Sequence, residues 1–81
     1  MEKFYIYILY SAKLDKYYVG STSDTDRRIA EHNRGKSTYT KPGLPWELVY
    51  TEEFPTKREA VYREMEIKKR KSRTYIEKII A

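Results

Sequence analysis

The chain contains no cysteine, which excludes a disulfide scaffold, thiolate metal ligands and a cysteine nucleophile, and removes any argument for an oxidising compartment. Cytoplasm is the expected location. It has one histidine, His32, so a zinc site of the histidine and cysteine kind cannot be assembled. No apolar run approaches the roughly 18 residues of a membrane helix. The N-terminus opens on an alternating strand pattern where a signal peptide would place a charged segment and an apolar one. Neither secretion nor membrane insertion is expected. The phosphate-cradling GxxxxGK[ST], the nucleophile elbow GxSxG and the zinc helix HExxH are all missing. No organic cofactor is implied. Eighty-one residues leave room for one domain, 1–81, with one core and no separate specificity module. Folding at this length buries somewhat over roughly 60% of the unfolded surface, so a polar group placed in the core needs a reason.

What is abundant is positive charge and tyrosine. Seventeen Lys+Arg against twelve Asp+Glu give a net charge of +5 and a pI near 9.4, a balance that favours polyanionic partners. Nine tyrosines can serve as core, as stacking surfaces for bases or as reactive phenols. Residues 4–10 and 16–21 are aromatic and β-branched runs separated by a short polar stretch, which predicts a β-hairpin. Ser23 with Asp26 resembles a capping box opening a helix to about Asn33, with Gly35 as its stop. Residues 35–45 hold two glycines and two prolines and predict a loop. Residues 46–53 alternate weakly, with Trp46, Leu48 and Tyr50 on one face, and predict a third strand ended by Pro55. Thr56 and Glu59 form a second capping box for a helix to about Lys71, and Ser72 starts a short final helix. The order β-β-α-β-α-α predicts an α+β fold, a three-stranded mainly antiparallel sheet flanked by helices.

Three constellations bear chemistry. Glu64 falls, on a helical wheel, between Ala60 and Ile67 on one side and Val61 and Lys68 on the other, so a carboxylate sits in the apolar stripe. Such a charge is costly unless paired or holding a metal; an ion pair with Lys68 at i+4 and a metal site both satisfy that condition. Arg28 and His32 lie four apart on the first helix and share a face. Two groups that can both be positive suit an anionic ligand, although a solvated basic face carries the same pattern. Tyr7 and Tyr18 occupy the two hairpin strands, and any register whose paired numbers sum to an odd value puts them on one sheet face. Paired tyrosines are ordinary packing; a phenol becomes a proton acceptor only beside positive charge, which Arg28 can supply. A carboxylate, an arginine and tyrosines form a set that suits phosphodiester hydrolysis.

These residues resemble the GIY-YIG nuclease superfamily, most closely its small standalone members, over nearly the whole chain. Tyr5-Ile6-Tyr7 stands at the first motif and Tyr18-Val19-Gly20 at the second. Arg28 and His32 follow on the next helix, and Glu64 lies in REMEIK on a later one. The resemblance implies a metal-dependent endonuclease acting on nucleic acid, DNA foremost, with Mg2+ or Mn2+ held by Glu64 alone. It implies that Arg28 contacts the scissile phosphate, that Tyr7 and Tyr18 shape the site with Tyr18 helping to activate water, and that His32 handles protons or phosphate. Gly20 would let the backbone turn closely into the site. Arg27, Arg34, Lys36 and Lys41 are expected to hold neighbouring phosphates. Tyr5 replaces the first motif's glycine, and an asparagine that some members carry late in the domain has no clear match. Two other readings compete: a nucleic-acid-binding module of the same fold that cleaves negligibly, and a domain docking onto a protein through its tyrosines.

Overall fold

The computed structural model describes residues 2–81. Strands β1 (Phe4–Ser11) and β2 (Lys16–Thr22) form the hairpin, helix α1 (Thr25–Asn33) follows, and β3 (Glu47–Phe54), α2 (Lys57–Arg70) and α3 (Arg73–Ile80) complete the expected order. The sheet runs β2-β1-β3 with both pairings antiparallel. Each end has a local cause. Ser11 Oγ accepts from the Leu14 amide at 3.1 Å in the hairpin turn, which closes through Asp15 at φ 52°, a left-handed position that short polar residues tolerate. Thr56 caps α2, accepting from the Glu59 amide at 3.2 Å and donating to the Glu59 carboxylate at 3.0 Å. Ser72 caps α3 at the Tyr75 amide, 3.1 Å away.

Three expectations need correction. The cap of α1 is Asp24, whose carboxylate accepts from the Arg27 amide at 3.1 Å; Ser23 lies one residue too early to reach that amide. The 35–45 segment is not wholly irregular, since Lys41–Gly43 forms a 3-10 turn. Trp46, Leu48 and Tyr50 do not share a face. A bulge shifts the register so that Tyr50 opposes Ile8 while Leu48 opposes Leu9, and neighbouring residues of β1 point to opposite sides.

The two sheet faces make two packed layers. On one, Ile6, Ile8 and Val19 meet Ala60 and Ile67 of α2, with Tyr75, Ile76, Ile79 and Ile80 of α3 around them. On the other, Tyr7, Leu9 and Trp46 pack with Tyr18, Ile29 and Leu44 beneath α1. The register pairs Tyr7 with Gly20 and Leu9 with Tyr18. Tyr7 and Tyr18 therefore share the α1 face as diagonal neighbours, while Ser21, opposite Ile6, belongs to the α2 face. Gly35, at φ 76°, ends α1: its amide bonds the His32 carbonyl at 3.0 Å and the Lys36 amide bonds the Glu31 carbonyl at 3.1 Å, the paired bonds of a Schellman motif. No helix among the described residues is long and apolar enough to cross a membrane.

Candidate active site

Tyr7 starts in the central strand and ends over the edge strand. Its ring lies across Gly20, where an added Cβ would stand 2.4 Å from the phenolic oxygen; the missing side chain is what admits the ring. The hydroxyl is 3.0 Å from His32 Nε2, and His32 Nδ1 is 2.7 Å from Thr40 Oγ1. Thr40 in turn reaches the Ser37 carbonyl at 3.5 Å and accepts the Trp46 indole N–H on its own carbonyl at 2.6 Å. The imidazole is thus engaged at both ring nitrogens, by Tyr7 on one side and Thr40 on the other. Burial lowers the imidazole's pKa, helped by the Arg28 charge, so it stays neutral near pH 7. Burial likewise pushes the Tyr7 phenol up to about 12, against the opposing pull of the nearby Arg28 guanidinium. The expected activation of this phenol by Arg28 is outweighed, and Tyr7 keeps its proton.

His32 is fully buried, with both ring nitrogens hydrogen-bonded. It stands behind Tyr7, deeper than the half-buried Arg28 with which it shares a helix face. Arg28 is half-buried and pairs with Glu31 at 3.1 Å. Tyr18, also half-buried, has its ring centroid 6.3 Å from that of Tyr7 and 5.1 Å from that of His32.

Glu64 comes from the other layer. Its carboxylate accepts from Ser21 Oγ at 2.6 Å through one oxygen and from Lys68 Nζ at 2.6 Å through the other. The ion pair with Lys68 is thus real, but it does not seal the group, whose side chain is 19% exposed. Lys68 also sits 5.5 Å from the Tyr18 ring centroid, so the two layers meet around β2. The charges of Arg28 and Glu64 both act on the Tyr7 phenol.

The sequence of this chain matches the GIY-YIG catalytic domain over residues 3–77. The chain belongs to the GIY-YIG family. It is 48% identical over 69 residues to a UPF0213 protein of Staphylococcus saprophyticus, covering 84% of this chain and 83% of that one. It is 42% identical over 78 residues to a UPF0213 protein of Natronomonas pharaonis, covering 95% and 89%. Its fold is similar to the solution NMR structure of a UPF0213 protein from Bacillus halodurans, with a TM-score of 0.59, 42% identity, and coverage of 96% and 82%. Membership places the chain in a nuclease superfamily.

Within the GIY-YIG frame, the motif strands are β1 and β2, and Tyr5 in the glycine position leaves the ladder whole: it pairs with Thr22 on one side and Glu53 on the other. Arg27, Arg34, Lys36 and Lys41 are all exposed along α1 and the loop after it. Two participants were not legible. Thr40 sits in a loop whose hydroxyls carry no periodic signal, and Ser21 adjoins the second motif but looks like an ordinary strand residue. Among the described residues, no three acidic or histidine groups converge as a metal cage. A lone carboxylate nevertheless fits a hard ion such as Mg2+, which keeps several waters and takes one or two carboxylates plus substrate phosphates. Each Glu64 oxygen accepts one hydrogen bond and retains a further lone pair.

Proposed function

We propose that this GIY-YIG protein is a divalent-metal-dependent endonuclease that hydrolyses phosphodiester bonds of nucleic acid, with DNA as the first polymer to test. The observation that carries the reading is the meeting around β2 of a partnered but solvent-reachable carboxylate, two tyrosines and a half-buried arginine. Bound at Glu64, Mg2+ or Mn2+ would supply Lewis-acid stabilisation of charge on the scissile group. Arg28 binds the scissile phosphate through its planar fork, which lysine does not reproduce. Tyr7, buried and hydrogen-bonded to His32, stays protonated and fixes the neighbouring Tyr18 ring. Tyr18, the more open of the two, helps to activate the attacking water, its phenolic oxygen accepting a hydrogen bond from it. Arg27, Arg34, Lys36 and Lys41 hold flanking phosphates and displace counterions.

The Lys68 ammonium on Glu64 favours a second reading, a binding module in which that cation occupies the carboxylate permanently. Purified protein incubated with branched, nicked and duplex DNA, in magnesium or in chelator, separates the two. The nuclease reading expects magnesium-dependent products and binding that weakens steeply with salt. Tight binding with no product on any substrate would replace it with the module.

A further inference from the structure

Beside the candidate active site runs a groove of about 580 Å3, lined by β2 and the corner between α2 and α3, whose near wall is Tyr18 and Lys68. Tyr39, from the loop after α1, also lines it, with its ring centroid 5.8 Å from that of Tyr18. Tyr39 is 81% exposed, so one large aromatic face is left without a protein partner. Along the same groove Tyr17 lies under the Arg73 guanidinium at 5.4 Å, and Ile67 and Ile76 add apolar lining. Lys16, Lys68 and Lys71 add cations. Asp15, the one acidic residue of the lining, is neutralised by Arg73 at 2.8 Å.

We propose that this groove is a second subsite, one that takes an unpaired nucleotide adjoining the scissile phosphate and stacks its base on Tyr39; the proposal rests on the nucleic-acid reading above. The charge of the groove is complementary to phosphate. Its size falls within the range of roughly 300–1,000 Å3 typical of small-ligand clefts. In a duplex the faces of the bases are stacked on one another, so an exposed tyrosine face beside a cationic groove is of use only to a base outside the stack. The preferred substrate class is therefore nucleic acid with an unpaired segment next to the cut, such as a flap, gap or branch, over continuous duplex.

The test uses oligonucleotides carrying 2-aminopurine in a single-stranded flap or inside a full duplex, titrated with the full chain in chelator so that no cleavage occurs. Stacking on Tyr39 should quench the flap probe and leave the duplex probe unchanged. Tyr39→Ala should abolish the quenching and weaken flap binding about 10-fold, within the range for loss of one stacked base, with duplex binding altered less than about twofold. Lys16→Glu, on the groove wall, should also weaken flap binding selectively. Binding with quenching that does not depend on Tyr39, or equal losses on flap and duplex, overturns the subsite and leaves the nuclease reading intact. Failure to bind any oligonucleotide at low salt, while polyglutamate binds the groove, overturns both.

Discussion

Replacing Gly20 by alanine tests the geometry that seats Tyr7. The new Cβ would lie 2.4 Å from the phenolic oxygen and 2.5 Å from Cζ, where non-bonded carbon contacts settle near 3.5–4.0 Å. The strand conformation itself accepts alanine, since Gly20 is not among the positive-φ glycines. Tyr7 must therefore yield by about 1 Å, yet it is 1% exposed and confined between His32 and Tyr18. A shift of that size stretches the 3.0 Å contact to His32 beyond hydrogen-bonding range. Overpacking of this kind costs about 1–3 kcal/mol, and a broken buried hydrogen bond adds to it. The reduced entropy of the unfolded chain offsets about 0.4–1 kcal/mol. A net loss of about 2 kcal/mol lowers the melting temperature of a domain this size by roughly 10 °C. A displacement of about 1 Å passed on to the site costs on the order of 100-fold in rate. Thermal melts and magnesium-dependent cleavage read the two effects separately. A variant with both properties unchanged would show that Tyr7 does not lie across Gly20.

Glu64→Gln should lower cleavage by about 100-fold or more. It should cost less than about 1 kcal/mol of stability, because the Lys68 pair is a half-exposed i,i+4 contact and such pairs are worth about 0.3–0.5 kcal/mol. Magnesium should raise the melting temperature of the unaltered protein and leave that of the variant where it is; a variant cleaving at full rate removes Glu64 from the mechanism. Arg28→Lys should cut turnover by about 100-fold, whereas Arg27→Lys, on the exposed side of α1, should change it little; equal effects would mean that the wrong helix face was chosen. His32 is held below its ordinary pKa of 6.5 by burial first and by Arg28 second. The unfolded chain then takes up a proton near pH 6.5 that the folded chain refuses, so stability is full above that pH and falls as pH drops below it. His32→Gln should flatten the dependence of melting temperature on pH below about pH 6.5, and an unchanged slope would place the titration elsewhere.

The hairpin, the order of the elements and the caps of α2 and α3 were legible because each rests on a local signal: aromatic and β-branched runs in 4–10, and the Thr56 and Ser72 hydroxyls placed to accept the Glu59 and Tyr75 amides. The β3 bulge was not, since register depends on the partner strand and the run from Trp46 to Tyr50 reads as simple alternation. The cap of α1 was missed for a narrower reason: Ser23, Asp24 and Asp26 all carry capping oxygens, and backbone geometry selects among them. At the site, the spacing of Arg28, His32 and Glu64 could be read from helical periodicity. Their order in depth could not, because His32 is sealed by Thr40, eight residues away in a loop. Glu64 shows both of its sequence readings at once, an ion pair and an open carboxylate, and the hydroxyl of Ser21 that steadies it comes from a strand 43 residues earlier.

The split of the site between the two sides of β2 also has a temporal meaning. The half that holds Tyr7, Tyr18, Arg28 and His32 is built from residues up to Trp46, which emerge first from the ribosome. It lacks the carboxylate until α2 has been made and has packed onto Ile6, Ile8 and Val19. The proposed chemistry therefore belongs only to the finished fold: chains that end before Glu64 lack the carboxylate proposed to hold the metal.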